Sequence, residues 1–80
     1  MTREAEVRKY LVDRFMFGDD ASLRNDASLL EAGIIDSTGV LELIAFLESR
    51  FGIRIEDDEL VPENLDSVMN VCAFLDRKIG

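Results

Sequence analysis

Two serine hydroxyls of this chain, those of Ser37 and Ser67, are the first candidates for a chemical role. Each follows an aspartate and stands at the start of a helical pattern of apolar residues. A serine that acts as an enzyme nucleophile needs a base, and the chain contains no His and no Ser-x-x-Lys pairing that would supply one. By residue type alone, an Asp-Ser dipeptide at such a position is a helix N-cap. These residues therefore indicate caps and not a catalytic site.

The acidic clusters do not form a recognisable metal site. The segment 20–31 has the length of a calcium loop, but Arg24 stands at a ligand position and Asn25 replaces the glycine of the sharp turn. Adjacent acids such as Asp57-Asp58-Glu59 are typical of a solvated surface. Since Cys72 is the single cysteine and His is absent, there is no set of zinc ligands. We predict no catalytic residue and no metal.

Composition indicates one small acidic domain over residues 1–80. The chain has 17 acidic and 9 basic residues, a net charge of −8 and 48% hydrophobic residues, so it should fold. A domain of this size buries only about 60% of the surface of its unfolded chain and has no room for an enclosed active site. We therefore expect a protein that is not an enzyme. Its negative charge disfavours nucleic acid and favours a basic protein surface as partner.

Neither a membrane segment nor a signal peptide is evident. Uncharged stretches such as 43–47 are far shorter than a bilayer span, and Glu4 and Glu6 stand where a signal peptide would be basic. A lone cysteine fits a reducing compartment. We expect a cytoplasmic monomer without membrane insertion.

Apolar spacing predicts three longer helices. The first spans about 3–16 after Thr2 as N-cap, and the last follows Asp66 with cations in its final turn. The second is begun by Asp36 or Ser37, is ended by Gly52, and has a stripe at i, i+3, i+4, i+7 and i+11 formed by Val40, Leu43, Ile44, Leu47 and Phe51.

The segments between the helices are irregular. Residues 18–35 are too irregular for a helix and too apolar for a free linker, which predicts a long loop held against the core. Residues 53–55 look extended, 56–61 have room for one short helical turn, and Pro62 should break what precedes it. The predicted architecture is all-α, with three longer helices, one short helix and a long first loop.

The segment 31–43 resembles the attachment motif of the acyl carrier protein family, in which the serine after Asp carries a 4′-phosphopantetheine arm. The resemblance continues through Glu42-Leu43, 51–53 and the last helix, and so covers essentially the whole chain. It implies a small four-helix bundle of the acyl-carrier type with the arm on Ser37. Ser67 lacks the upstream glycine and apolar pair, and we interpret Asp66-Ser67 as structural.

The resemblance also implies a mechanism and partners. A separate phosphopantetheinyl transferase, with magnesium, would let the Ser37 hydroxyl attack coenzyme A, and Asp36 would help to position the serine and the metal. An ATP-dependent acyl or aminoacyl ligase would then load the arm with a thioester, and downstream acyl-transfer enzymes would receive the cargo. The carrier itself would catalyse nothing.

The second helix is the expected partner-binding element. The family's contact positions match Leu41 and Glu42, while Thr38, Ala45 and Glu48 lie on or beside the same outward face. The central segment 26–66 has eleven acidic residues against two basic ones, so partners that bind by electrostatics should approach there. Cys72 belongs to the apolar stripe of the last helix and should be a buried, unreactive side chain.

The residues next to Ser37 leave the cargo open. Common fatty-acid carriers have a large aliphatic residue after the serine, whereas this chain has Thr38 and Gly39. The loop 33–37 is more similar to stand-alone carriers, including the D-alanyl and other aminoacyl carriers, which favours a short or aminoacyl cargo. The alternative function is a non-covalent acidic helical interaction domain in which Asp36 and Ser37 only cap a helix.

Overall fold

The computed structural model describes residues 2–79. Within this range the chain forms helices and turns and no strand, which confirms the all-α prediction. Residues 1 and 80 of the predicted domain lie outside the described part. The four α-helices are α1 (Arg3–Phe15), α2 (Ser37–Phe51), α3 (Pro62–Leu65) and α4 (Val68–Ile79), and two 3₁₀ turns lie at Asp20–Ser22 and Asp57–Glu59.

Helix α1 begins and ends close to the predicted residues. The Ala5 amide donates to the Thr2 hydroxyl over 3.1 Å, and the acidic Glu4 and Glu6 lie in the first turn, where the helix dipole favours negative charge. The helix ends at Phe15, one residue before the predicted end, and the Met16 amide closes it by donating to the Val12 carbonyl.

The core lies between α1, α2 and α4. Its fully buried side chains come from all three helices: Val7, Leu11, Leu43, Leu47, Val68, Val71 and Leu75. Of the predicted α2 stripe, Leu43 and Leu47 are fully buried, whereas the other three residues are partly buried at its edges. Because one residue in three or four of each helix points inward, this packing leaves the opposite faces of the helices to solvent.

Two ion pairs show that α1 and α2 run antiparallel. Arg14 near the end of α1 pairs with Glu42 near the start of α2, and Arg50 near the end of α2 pairs with Glu6 near the start of α1. The carboxyl end of α1 and the amino end of α2 therefore lie at the same end of the bundle.

The long first loop is held against the core, as predicted. Leu23, Leu29 and Ile35 bury their side chains. The Arg8 guanidinium on α1 donates to the carbonyls of Leu23 and Asp20 over 3.0 and 3.1 Å. These contacts fix the loop although it contains only one 3₁₀ turn.

The connection from α2 to α4 contains two short helical turns, whereas the sequence predicted one. The 3₁₀ turn at Asp57–Glu59 is the predicted short turn, but Pro62 then begins α3 and does not only end what precedes it. Proline is well tolerated at the first position of a helix, because its missing amide would have no partner there. Within residues 2–79, no helix has the length and apolar character needed to cross a bilayer.

Candidate functional site

Ser37 is the first residue of α2, and its side chain is exposed. The preceding Asp36 has extended backbone angles, φ −115° and ψ −172°, and acts as the N-cap. Its Oδ1 accepts a hydrogen bond from the Gly39 amide over 2.7 Å. Because Asp36 caps the helix, the Ser37 hydroxyl is left at the surface beside the first amides of α2, which have no partner within the helix.

Gly39 allows the first turn of α2 to pack closely on its neighbours. A Cβ atom at this position would lie 2.6 Å from Ile35 Cγ1 and 3.2 Å from a ring carbon of Phe15. The glycine is buried, so the end of the first loop and the end of α1 both press on the turn that carries Ser37. The small residue at this position is therefore required by packing. Of the two small residues after the serine, only Thr38 presents a surface to partners.

The second dipeptide has a different structure. Ser67 is 6% exposed, and its hydroxyl accepts a hydrogen bond from the Asn70 amide over 3.0 Å. Asp66 accepts hydrogen bonds from the Ser28 hydroxyl and from the Leu30 amide, so it anchors the first loop. The structural interpretation of Asp66-Ser67 is thus confirmed: the serine caps α4 and the aspartate holds the loop.

Three of the five predicted partner-binding residues are exposed. Thr38 and Ala45 lie at the surface, and Leu41 is 64% exposed in spite of its apolar side chain. The Leu41 side chain is therefore available for contact with another protein.

The two acidic members of the predicted set also have contacts within the fold. Glu42 pairs with Arg14, and its side chain is 37% exposed. This pairing raises the pKa of the Arg14 guanidinium above its usual value. Glu48 is half-buried, and its Oε2 accepts a hydrogen bond from the Ile55 amide over 2.9 Å. Glu48 therefore helps to hold the segment after α2 against the helix, a role that its predicted position on the outward face did not reveal.

An apolar pocket of about 150 Å³ opens between the first loop, the start of α2 and α3. Most of its lining is apolar: Leu30, Ile35, Val40, Leu60, Val61, Pro62 and Leu65. Leu30, Leu60 and Val61 are exposed at its edge, and they belong to segments that the sequence analysis treated only as loop or short turn. The pocket depends on contacts between distant segments, so no local sequence pattern indicates it.

Cys72 is partly buried against the core, less completely than the helical stripe predicted. Burial raises the pKa of its thiol, and the neighbouring carboxylates of Glu4 and Asp76 raise it further. A thiol with a raised pKa forms little of the reactive thiolate at neutral pH. These surroundings fit the predicted unreactive side chain.

The start of α2 suits a serine that carries a phosphodiester. A phosphate attached to Ser37 would lie at the positive end of the α2 dipole and beside unpartnered backbone amides, both of which stabilise a negative charge. The exposed hydroxyl is accessible to a separate enzyme, and the rigid turn around Gly39 fixes where that enzyme finds it. The residues present therefore fit a covalently attached phosphopantetheine.

Comparison with solved structures shows the same fold. The holo acyl carrier protein from Nitrosomonas europaea superposes with a TM-score of 0.81 at 26% identity, over 99% of this chain and 98% of that one. A chain in the crystal structure of an FAD-dependent dehydrogenase superposes with a TM-score of 0.75, also at 26% identity, over 86% of this chain and 97% of that one.

The sequence comparisons identify the family. D-alanyl carrier protein from Streptococcus thermophilus (strain ATCC BAA-491 / LMD-9) is 44% identical over 59 residues, which are 74% of this chain and 72% of that protein. The protein of the same name from Streptococcus sanguinis (strain SK36) is 42% identical over the same shares of the two chains. Residues 5–75 match the family described as "Phosphopantetheine attachment site". The chain therefore belongs to the phosphopantetheine-attachment family of carrier proteins, whose cofactor is a covalently bound 4′-phosphopantetheine.

Proposed function

We propose that Ser37 is the residue to which the 4′-phosphopantetheine arm is attached. The observation that carries this proposal is the exposed hydroxyl of Ser37 at the first position of α2, where Asp36 already serves as the cap. The other Asp-Ser serine, Ser67, is buried and its hydroxyl is engaged as a cap. The contacts of the two dipeptides thus favour attachment at Asp36-Ser37 and a structural role for Asp66-Ser67.

In the proposed attachment reaction, the Ser37 Oγ attacks the phosphate of coenzyme A that bears the pantetheine group. A new bond forms between this phosphorus and Oγ, and the bond to the other phosphate breaks, which releases adenosine 3′,5′-bisphosphate. The serine proton passes to a base of the transferase, since this chain has no His to accept it. Asp36 caps α2 through Oδ1, and its exposed carboxylate would help to hold the magnesium ion of the transferase complex.

Carriers of this family present cargo to other proteins. The attached arm supplies a terminal thiol that holds an acyl group as a thioester. What this chain contributes is the fixed position of Ser37, the surface that partners recognise and the tethering that raises the effective concentration of the cargo at each partner. We infer that the chain is not an enzyme, because carrier proteins in general hold their cargo without acting on it.

The proposed cargo is a short acyl or aminoacyl group. Similarity to D-alanyl carrier proteins favours an aminoacyl cargo. The pocket beside α2 holds about 150 Å³, whereas sites that enclose a drug-sized ligand measure roughly 300–1,000 Å³. Its small volume favours a short chain. Attaching the arm, then offering the product separately to an amino-acid-activating ligase and to a long-chain acyl synthetase, tests this; efficient loading by the synthetase alone would contradict it.

The partners that follow are the transferase, an ATP-dependent acyl or aminoacyl ligase, and a downstream acyl-transfer enzyme. Because the first two reactions consume coenzyme A and ATP, the proposal includes a cytoplasmic location. It also includes a monomeric single domain over residues 1–80. The family match makes a purely non-covalent interaction domain the less favoured function.

The proposal is tested by intact mass spectrometry after incubation of the purified protein with a promiscuous phosphopantetheinyl transferase, magnesium and coenzyme A. We expect the mass to increase by one phosphopantetheine, and peptide mapping to locate it on Ser37. A reaction without the transferase is the control. A protein that stays unmodified, or an arm found on another residue, would contradict the proposal.

A further inference from the structure

Phe17 is the most exposed large apolar residue that the structure describes. Its relative exposure is 102%, whereas the other four phenylalanines are partly or fully buried. Its φ is +52°, and among residues 2–79 it is the one non-glycine residue with a positive φ. The left-handed conformation is unfavourable for an aromatic residue and is usually taken by Gly or Asn. The fold therefore gains neither burial nor a relaxed backbone from a phenylalanine here.

Phe17 lies at the end of the bundle that carries Ser37. It follows α1 by two residues, and the last residue of α1, Phe15, packs against the first turn of α2 near Gly39. The ion pair between Arg14 and Glu42 joins the same two segments. An enzyme that acts on the Ser37 hydroxyl must approach this end of the bundle.

A partner seated on Ser37 would also cover the segment around Phe17. A specific interface buries about 800 Å² on each partner, which is much more than the surface of one serine and its cap. Aromatic side chains at such interfaces contribute a large share of the binding energy when they enter a pocket. The neighbouring Asp19 is exposed and acidic, and Asp20 stays exposed although it pairs with Arg8, which suits the basic partner surface that the net charge of −8 favours.

We propose that Phe17 is a docking residue for the phosphopantetheinyl transferase, and that its ring enters an apolar depression beside the active site of that enzyme when it acts on Ser37. This inference rests on the proposed attachment at Ser37. It adds a contact at the end of α1 to the surface of α2 that the family resemblance suggests. It also explains why a position suited to Asn or Gly holds an exposed aromatic ring.

The test compares the wild-type protein with Phe17→Asn in the transferase reaction. Asparagine adopts the left-handed conformation readily, so the variant should melt at the wild-type temperature or above it. We expect the KM of the transferase for the carrier to rise about tenfold, with kcat nearly unchanged, because the lost contact acts on binding. Phe17→Trp, which keeps an aromatic ring, should retain most of the wild-type affinity.

Ile79→Asn is the matched control. Ile79 is 41% exposed at the end of α4, and the ion pair of Arg3 with Asp76 places that end of α4 beside the start of α1, far from Ser37. This variant should keep the wild-type KM. A wild-type KM for Phe17→Asn, with Ser37 still modified, would overturn the docking role of Phe17 alone. A wild-type protein that is never modified on Ser37 would overturn the attachment proposal and this inference together.

Discussion

Asp36-Ser37 and Asp66-Ser67 are the same two residues at the start of a helix, yet the helices begin at different positions relative to them. Helix α2 begins at Ser37, so the aspartate is the cap and the serine is exposed. Helix α4 begins at Val68, so the serine is the cap and the aspartate is free to bind the first loop. A shift of one residue in the helix start thus exchanges the roles of the two side chains.

Which residue of the dipeptide caps the helix decides whether the serine hydroxyl stays accessible. Each helix needs one side-chain acceptor for the amides of its first turn. Where the aspartate supplies that acceptor, the serine hydroxyl stays accessible to another enzyme. Where the serine supplies it, the hydroxyl is both engaged and buried.

The largest expected effect separates the two serines completely. Ser37→Ala should abolish the mass increase in the transferase reaction, because the attacking oxygen is gone, and it should change stability by only a few tenths of a kcal/mol. Ser67→Ala should be modified fully but lose about 1 kcal/mol of stability with its cap. Intact mass spectrometry and urea denaturation measure the two effects. Modification of Ser37→Ala would refute the assignment.

For the two aspartates, the loss of stability is expected at Asp66 and the slower modification at Asp36. Asp66→Ala removes the acceptor for Ser28 and Leu30 and should lower the free energy of unfolding by about 2 kcal/mol, as is typical for hydrogen bonds to a charged group. Asp36→Asn keeps an acceptor for Gly39 and should be nearly as stable as wild type, but it should be modified more slowly because an amide binds magnesium more weakly than a carboxylate. Chemical denaturation and modification rates distinguish them. Equal stability of both variants would contradict the loop-anchoring role of Asp66.

A smaller effect is expected from the charges around Ser37. Glu42→Gln should slow modification, whereas Arg14→Gln should accelerate it about two- to fivefold, because a basic partner then no longer competes with Arg14 for Glu42. Wild-type rates should fall as salt rises, since screening weakens exposed charges. Modification rates measured from low to high salt provide the test. If neither substitution changes the rate, the acidity of α2 has no part in recognition.

The smallest expected effect concerns Glu59, in the 3₁₀ turn between α2 and α3. The Glu56 amide and the Lys78 ammonium both donate to Glu59, and these contacts lower the pKa of its carboxyl below the ordinary value of 4.5. Its stabilising contribution should therefore be present above that ordinary value and be lost as the pH falls through the lowered pKa of the folded state.

Thermal melts at a series of pH values measure this contribution. As the pH falls below the ordinary carboxyl pKa of 4.5, wild type should lose stability more steeply than Glu59→Gln, which lacks the titrating group. Glu63→Gln is a control, since Glu63 is exposed at the start of α3. Parallel profiles for wild type and Glu59→Gln would contradict the assigned contacts.

Helical spacing and caps were sufficient to predict most of the fold. The α2 stripe, the Thr2 cap and the glycine that ends α2 are local signals, and Gly52 indeed adopts the left-handed conformation with φ +65°. Local signals did not show that Pro62 begins α3. They indicated that a proline ends a helix, but they did not indicate that a new helix begins at the proline itself.

The sequence could predict those features of the candidate site that depend on residues adjacent in the chain. The sequence offered Asp36 or Ser37 as the cap of α2, and the structure shows that it is Asp36. Glu48 was placed on the outward face because helical position says nothing of the Ile55 amide, which reaches it from beyond the helix. The packing of Ile35 on Gly39 likewise joins the first loop to α2, and the periodicity of apolar residues does not show that these segments are in contact.

The anchoring of the first loop by Asp66 bears on how the chain acquires its structure during synthesis. The hydrogen bonds from Ser28 and Leu30 span 38 and 36 residues of sequence, so this part of the loop has no anchor until residue 66 has been made. The loop leads directly to Ile35, which packs on the turn that presents Ser37. Helices α1 and α2 can form earlier from local contacts, but the surface around Ser37 is completed late. We therefore expect a transferase that recognises this surface to act on the finished domain and not on the nascent chain.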